Sequence, residues 1–195
     1  RIADMAPVPF PPAPRSTYRP AGGPVNDDAL PLLVGGATIT ADTEVPELDA
    51  SGVLFAFGDH VSGFACWVDQ GRLRAALSIA GDVVEVAAPS PFRPGPVVAG
   101  IALTPGDGGG GCRLELVTGA GREVVASTPH EHTLPISFQH GGASLTIGYD
   151  RGFPVSPSYD VHAAWPGPIL EVVVDTPAGT VPHREDLVDG ALTAD

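Results

Sequence analysis

Short runs of apolar and β-branched residues alternate with polar positions along most of this 195-residue chain. Each run is bounded by glycine, proline or aspartate, as strands joined by tight turns usually are. The runs predict strands at 37–45, 52–58, 64–69, 73–79, 83–87, 97–103, 112–118, 122–126, 144–149 and 169–175. A turn about every 8–12 residues is typical of a β-sandwich or a β-barrel. Because strands with one apolar face must bury it, we predict an all-β fold in which two antiparallel sheets stack face to face.

Alternation along the strands separates inward from outward side chains. Phe64, Cys66 and Val68 share one face of their strand, and Trp67 lies on the opposite face. Cys112 belongs to an apolar face of a later strand, so both cysteines are predicted to be buried free thiols. A disulfide between them is the alternative, and it needs their strands to be neighbours across the core. Trp67 is expected to cover the outer sheet or to meet a partner; stacking on a sugar is a further alternative.

The two ends of the chain differ in character from this strand-rich region. Residues 1–35 are rich in proline, which excludes helix and central strand, so we predict an extended arm that wraps the sandwich, with a flexible linker as the alternative. Residues 36–176 form the predicted β-sandwich domain. Residues 177–195 form a tail in which 183–189 could make a short helix.

The composition excludes several partners. The chain has 10 basic and 23 acidic residues, a net charge of −13, and all its basic residues are arginine. Such acidity argues against nucleic-acid backbones and against anionic membranes. No apolar run approaches the roughly 20 residues of a membrane helix, and the proline-rich start does not resemble a signal peptide. We therefore expect a soluble protein that binds neither nucleic acid nor membrane.

Three motifs look chemical, but each has a plainer explanation. Residues 106–111 match a dinucleotide-binding glycine pattern, but strands on both sides indicate a hairpin loop, since that site needs a helix after the glycines. His130 and His132 could ligate a metal, but flanking prolines favour an exposed loop. Asp59 and Asp107 lie in predicted loops where Ca²⁺ could bind, yet no dense acidic cluster supports it. We expect no metal and no cofactor.

The most informative segment is the long loop that follows the strand at 144–149. It carries Asp150, Arg151, Phe153 and Tyr159 among prolines and glycines. Arginine and aromatic residues are enriched at interfaces, so these residues, together with Trp67, are the candidate interface or binding residues. The alternative is a loop that packs only on itself.

The ordered motifs resemble a known family. Residues 54–58 and 63–73 resemble the core of concanavalin A-like and laminin-G-like jelly rolls. More specifically, residues 18–22, 38–46, 148–159 and 169–175 are similar, in order, to the C-terminal region of bacterial arylsulfatases, especially actinobacterial ones. The resemblance covers residues 15–176; the short loop at 106–111 and the absence of lysine depart from the family pattern.

The resemblance implies a jelly-roll sandwich beside a sulfatase catalytic domain, present in cis or in trans. Sulfatase chemistry needs a formylglycine made within a Cys/Ser-x-Pro-Ser/Ala-x-Arg motif and metal ligands from Asp and Asn. Neither Cys66 nor Cys112 lies in that motif, and Asn26 is the only asparagine. We therefore expect a noncatalytic accessory domain that supports or shapes the catalytic domain, in a bacterial and cytoplasmic setting. A lectin-like carbohydrate-binding module and a stand-alone interaction or assembly domain that self-associates are the alternatives.

Overall fold

A computed structural model describes residues 14–135 and 142–177. Within these ranges the chain forms twelve strands and three short 3₁₀ turns. The strands are β1 (Arg15–Tyr18), β2 (Val25–Asn26), β3 (Ala37–Val45), β4 (Gly52–Gly58), β5 (Gly63–Asp69), β6 (Arg72–Ile79), β7 (Asp82–Ala87), β8 (Gly95–Pro105), β9 (Cys112–Thr118), β10 (Glu123–His130), β11 (Ser144–Ile147) and β12 (Ile169–Asp175). The 3₁₀ turns are Pro20–Gly22, Asp27–Ala29 and Asp107–Gly109. The described part of the chain contains no helix that is long and apolar enough to cross a lipid bilayer.

The strands form two six-stranded antiparallel sheets, which confirms the predicted all-β sandwich. Sheet A has the order β1-β12-β3-β8-β9-β10, and sheet B has the order β2-β11-β4-β5-β6-β7. Consecutive strands β4 to β7 form a meander joined by tight turns. In the turn between β5 and β6, Gln70 and Gly71 have φ angles of 47° and 76°, the left-handed geometry that matches the twist of a two-residue hairpin.

The core lies between the sheets and contains the inward side chains of both. Phe57 and Phe64 stack with ring centroids 5.4 Å apart, and Phe55 meets Phe64 edge-on at 6.4 Å. Cys66 and Cys112 are buried free thiols, as predicted. Burial raises the pKa of the Cys66 thiol far above its ordinary value and that of Cys112 to about 11. Such thiols are rarely ionised at neutral pH and act as small apolar side chains.

The proline-rich segment contributes one edge strand to each sheet. Prolines interrupt it at positions 14, 20 and 24, and the short strands β1 and β2 lie between or after them. β1 pairs with β12, where Arg15 forms an ion pair of 3.1 Å with Asp175. Next to this pair, the Thr176 N–H donates to the Pro14 carbonyl at 2.7 Å. Edge positions suit this segment, because an edge strand leaves one row of backbone groups without a ladder partner.

The structure agrees with the sequence prediction for one loop and contradicts it for another. Residues 106–111 connect the paired strands β8 and β9, as expected for a hairpin loop. In contrast, the prediction that residues 130–132 form an exposed loop is wrong for His130, which ends β10 and is 4 % exposed. Edge strand β10 accommodates Pro129 and extends further than its apolar pattern suggested. The tail helix proposed at 183–189 lies outside the described residues.

Candidate functional site

Residues 148–168, which we call the strap, connect β11 to β12. Val155 and Tyr159 of the strap pack on the outer face of sheet B, whereas Trp165, near its end, lies in the main core. The Gly148 N–H donates to the Leu54 carbonyl at 2.8 Å, and the Val53 N–H of β4 donates to the Ala163 carbonyl at 2.9 Å. Val53 and Ala164 form an isolated parallel bridge. The strap is therefore attached to β4 by backbone hydrogen bonds near both of its ends.

A second apolar cluster, separate from the main core, fills the space between the strap and sheet B. Its buried members are Val53, Ala56, Ala65, Trp67, Ala76 and Val155. Alanines on β4, β5 and β6 leave room above the sheet, which the indole of Trp67 and the side chain of Val155 occupy. This cluster explains why the outward face of β5 is apolar in the sequence.

Trp67 lies on the face opposite Cys66, where the alternation placed it, and is covered by Tyr159. The two rings are 4.9 Å apart and tilted by 36°, and Trp67 is only 2 % exposed. Among the described residues its buried indole Nε1 has no hydrogen-bond partner. A buried N–H without a partner costs about 1–3 kcal/mol. Trp165 differs, because its Nε1 donates to Thr43 Oγ1 at 2.8 Å within the main core.

Asp150 organises the polar side of the strap. Its Oδ2 accepts a hydrogen bond of 2.6 Å from the Tyr159 hydroxyl, and its Oδ1 accepts one of 2.6 Å from the Arg151 N–H. The Tyr159 oxygen in turn accepts a hydrogen bond of 3.0 Å from the Val155 N–H. Burial raises the pKa of the Asp150 carboxyl, and the bond from Tyr159 opposes that rise. Burial and the neighbouring Asp150 both raise the pKa of the Tyr159 hydroxyl.

Glu85 on β7 holds the strap at a second place. Its Oε1 accepts hydrogen bonds from the hydroxyls of Ser156 and Ser158, the latter at 2.6 Å. Sequence reasoning missed Glu85, which it included only as part of the strand predicted at 83–87. The available signal was a lone acid between valines, but nothing in the sequence indicates that serines so distant along the chain contact it.

Arg151 and Phe153 lie on the solvent side of the strap. Phe153 is 71 % exposed, and its ring meets the ring of His60 at 5.9 Å in an edge-on arrangement. The Arg151 guanidinium contacts the Ser144 hydroxyl at 3.5 Å and forms no ion pair within the described chain. Of the predicted site residues, the structure therefore joins Asp150, Tyr159 and Trp67 in one buried unit and leaves Arg151 and Phe153 exposed.

A polar cleft of about 380 Å³ lies beside these exposed residues, between the β4–β5 turn and the start of the strap. We call it the Arg151 cleft. Its wall includes Asp59, Ser62, Ser144, Thr146, Asp150 and Arg151. Asp59 accepts hydrogen bonds at Oδ1 from the N–H groups of Val61 and Ser62, which fixes the turn. The cleft thus offers carboxylate, hydroxyl and guanidinium groups to a ligand or a partner.

The histidine pair at the other edge of the sandwich has structural contacts. His130 Nε2 lies 2.9 Å from the Asp82 carbonyl oxygen, and its Nδ1 accepts a hydrogen bond of 3.1 Å from the His132 N–H. His132 Nε2 lies 2.6 Å from Asp82 Oδ2. These contacts connect the edge strands β10 and β7 of the two sheets. In the regions that the structure covers, no group of three or more His, Cys, Asp or Glu side chains could hold a metal ion.

Comparison with known proteins supports the fold. A scan against protein-family models found no match, and a search of curated proteins found none. Among solved structures, the chain is similar to the mouse laminin alpha1 chain, domains LG4-5, with a TM-score of 0.54, 11 % identity, and coverage of 87 % of this chain and 46 % of that one. It is also similar to the NanB sialidase of Streptococcus pneumoniae, with a TM-score of 0.51, 13 % identity, and coverage of 82 % and 24 %.

The chain therefore spans less than half the length of these two proteins. At such identities the likeness concerns the fold alone. The described chain is a two-sheet jelly-roll sandwich of the laminin-G-like type.

Proposed function

We propose that this chain is a noncatalytic recognition module that docks a partner through the outer surface of the strap. The observation that supports this proposal is the difference between the inner and outer sides of the strap. Its inner side is held by Asp150, Tyr159 and Glu85, whereas Arg151 and Phe153 are presented to solvent. A loop that is fixed from beneath loses little conformational freedom when its outer side binds, which favours affinity.

The exposed residues supply the chemistry of an interface anchor. Phe153 and its neighbour His60 form an aromatic patch, and Val61 beside it is 52 % exposed. Burying a phenylalanine side chain contributes about 1.5–3 kcal/mol. Arg151 has no carboxylate partner within the described chain, so a carboxylate of the partner can accept its guanidinium hydrogen bonds.

The finer form of the proposal is that the partner is a sulfatase-type catalytic domain, in cis or in trans. It rests on the sequence resemblance alone. Its first test is the gene: the sequence that encodes the chain, or a neighbouring gene, must encode a domain with the formylglycine motif. A genome without such a domain would exclude this form and leave the general one.

The absence of activity is part of the proposal. Both cysteines lie in the core, and burial raises the pKa of both thiols. Neither therefore offers a reactive thiolate, and neither is accessible in the folded chain for conversion to formylglycine. We propose that no cofactor or metal takes part. Turnover of an aryl sulfate by the purified chain would contradict this.

A carbohydrate-binding module is the second candidate, and the Arg151 cleft favours it. Carboxylates, hydroxyls and a guanidinium are the groups that hydrogen-bond sugar hydroxyls. The aromatic ring of Phe153 contacts His60, whose sequence neighbours Asp59 and Val61 line this cleft. Such a ring can contact the apolar face of a sugar. This candidate uses the same residues but a different class of ligand.

The decisive experiment measures binding of the whole chain to a purified sulfatase catalytic domain from the same genome, and separately to a glycan array. Phe153→Ala and Arg151→Ala should each weaken binding about tenfold or more, as expected for interface anchors. Leu170→Ala is the matched control, because Leu170 is 64 % exposed but lies on β12 of sheet A. Glycan binding that depends on Phe153 would favour the second candidate. Binding whose affinity is unchanged in both strap variants would refute strap docking.

A further inference from the structure

The histidine pair connects the two sheets along one side of the sandwich. β7 and β10 are the last strands of sheets B and A, and they lie next to each other. At this end of the strands His130 and His132 both contact Asp82. We call these three residues the histidine junction. A cleft of about 590 Å³ lies beside it, with residues 130–132 in one part of its wall and Asp82 in another.

The partners of His130 fix its protonation state. A carbonyl oxygen only accepts, so Nε2, which lies 2.9 Å from the Asp82 carbonyl, must carry the proton that it donates. The backbone N–H of His132 only donates, so Nδ1, at 3.1 Å from that nitrogen, must hold a free lone pair. The ring of His130 is therefore neutral in the closed junction, and both of its nitrogens have partners.

A second proton on His130 is incompatible with these contacts. Both nitrogens of an imidazolium donate, so the new N–H at Nδ1 would point at the N–H of His132. Asp82 contacts His130 through its carbonyl on the Nε2 side, so it does not accept from Nδ1. The residue is only 4 % exposed, and a buried donor that has lost its acceptor is costly. Protonation therefore requires residues 130–132 to move away from β7.

The other groups around His130 leave this conclusion unchanged. The titratable and charged residues on the elements packed around it are Asp82 on β7, Asp107 in the loop before β9, Cys112 and Arg113 on β9, and Glu131 and His132 after β10. Burial raises the pKa of Cys112 to about 11, so this thiol stays neutral in mild acid. Arg113 is exposed, and arginine stays charged throughout. Aspartate and glutamate ordinarily titrate below pH 5.

We propose that the histidine junction is an acid-sensitive latch between the two sheets. It is closed while His130 is neutral, and it opens when His130 binds a proton, which an ordinary histidine does near pH 6.5. Opening is confined to this end of the strands, because Val84 on β7 and Ala126 on β10 remain packed against the core. Release of residues 130–132 removes one wall of the cleft. The latch is independent of strap docking, which uses other residues.

The contact between His132 and Asp82 acts in the opposite direction. A protonated His132 forms an ion pair with Asp82, which favours the closed junction in acid. These side chains are 48 % and 72 % exposed, and such exposed pairs contribute little. His132 takes part in the latch through its backbone N–H, which an alanine at that position retains. His132→Ala therefore removes the opposing contact and keeps the latch.

Side-chain ¹⁵N NMR and amide exchange test the latch on the full chain. At pH 7.5 the His130 ring should be neutral, with its proton on Nε2. Between pH 7.5 and 5.5 the protection factor of the His132 amide, corrected for the intrinsic pH dependence of exchange, should fall about tenfold, because opening takes up one proton. The Gly148 amide, which donates to the Leu54 carbonyl on the strap side, should keep its protection factor. Unchanged protection at His132, or an equal fall at Gly148, would overturn the proposal.

Three variants assign the pH dependence to one ring. His130→Gln does not titrate but keeps an N–H donor for the Asp82 carbonyl, so the pH dependence of the amide at position 132 should disappear. His132→Ala should retain the full tenfold change. His162→Gln is the matched control, because His162 is exposed on the strap and its loss should change nothing at position 132. A pH dependence that persists in His130→Gln would overturn the proposal. If that variant does not fold, His132→Ala decides, because loss of the pH dependence there would overturn it equally.

Discussion

Replacing Tyr159 by phenylalanine tests whether the hydrogen bonds beneath the strap hold it in place. The substitution removes only the hydroxyl and keeps the ring that covers Trp67. Two groups lose a partner: the carboxylate Oδ2 of Asp150, at 2.6 Å, and the N–H of Val155, at 3.0 Å. Both groups lie in the part-buried region between strap and sheet, where water replaces a lost partner poorly.

The magnitude follows from these two losses. A hydrogen bond to a charged group contributes about 1.5–3 kcal/mol, and a neutral one about 0.5–1.5 kcal/mol. Tyr159→Phe should therefore lower the free energy of unfolding by about 3 kcal/mol. For a domain of this size, each kcal/mol lowers Tm by about 2–4 °C, so the expected drop in Tm is about 6–12 °C.

The assay is urea unfolding followed by tryptophan fluorescence, with amide hydrogen exchange as a local probe. The Val155 amide should exchange much faster in the variant, because its acceptor is gone. Tyr149→Phe is the matched control, because no residue of 14–135 or 142–177 forms a hydrogen bond with the Tyr149 hydroxyl. Equal stability losses in the two variants, or an unchanged exchange rate at Val155, would refute the reasoning.

Acid should reduce the effect of the substitution. Burial raises the pKa of Asp150 above its ordinary value of 3.8, and the Tyr159 hydroxyl opposes that rise. A carboxyl with a raised folded pKa favours the folded state while it is protonated, and that contribution is lost as pH rises through the folded pKa. Without the hydroxyl the folded pKa rises further, so the loss at neutral pH is larger. The stability difference between the proteins should therefore shrink between pH 7 and about pH 4.

Three further predictions concern other parts of the sandwich. At pH 8 a thiol reagent should label neither cysteine in the folded protein and both cysteines after denaturation. As the pH is raised, Cys112 should react before Cys66, because its pKa is raised less. Rapid labelling of Cys66 in the folded protein would contradict its burial. Glu85→Ala should lower the free energy of unfolding by about 1–2 kcal/mol. It should also speed amide exchange at Ser156 and Ser158, whose hydroxyls lose their acceptor; unchanged exchange at both would contradict the role of Glu85 in holding the strap. Gly100→Ala should lower the free energy of unfolding by at least 1–3 kcal/mol, about the cost of overpacking, because a Cβ at this position would overlap the backbone of β3. Gly121→Ala is the control: a Cβ there has open space, so the variant should keep the Tm of the parent protein in a thermal melt.

Much of the fold could be predicted from the sequence, because alternation and turn residues are local signals. The predicted strands at 37–45, 52–58 and 112–118 have the bounds that the structure shows. β1 and β2 could not be predicted in this way. Proline correctly argued against helix and central strand there, but an edge strand needs a partner, and the partner of β1 is β12, which lies about 150 residues later in the sequence.

The candidate site could be predicted from the sequence only in part. Composition identified the segment with Asp150 and Tyr159, and alternation placed Trp67 on the outer face. Their assembly depends on how a long loop returns over a sheet, which no local pattern encodes. His130 shows the same limit: the flanking prolines indicated a loop, whereas burial against β7 depends on the stacking of two sheets.

The pairing of β1 with β12 has a practical consequence for engineering. Pro14 and Thr176 hydrogen-bond to each other, so the described sandwich begins and ends at adjacent points on one edge. Proteins with neighbouring ends tolerate circular permutation and transfer into surface turns of other proteins. A short glycine-serine linker between positions 14 and 176, with new termini in the 119–122 turn, should give a circularly permuted sandwich that still folds. Such a domain could be inserted into a surface turn of another protein without disturbing the strands of that protein.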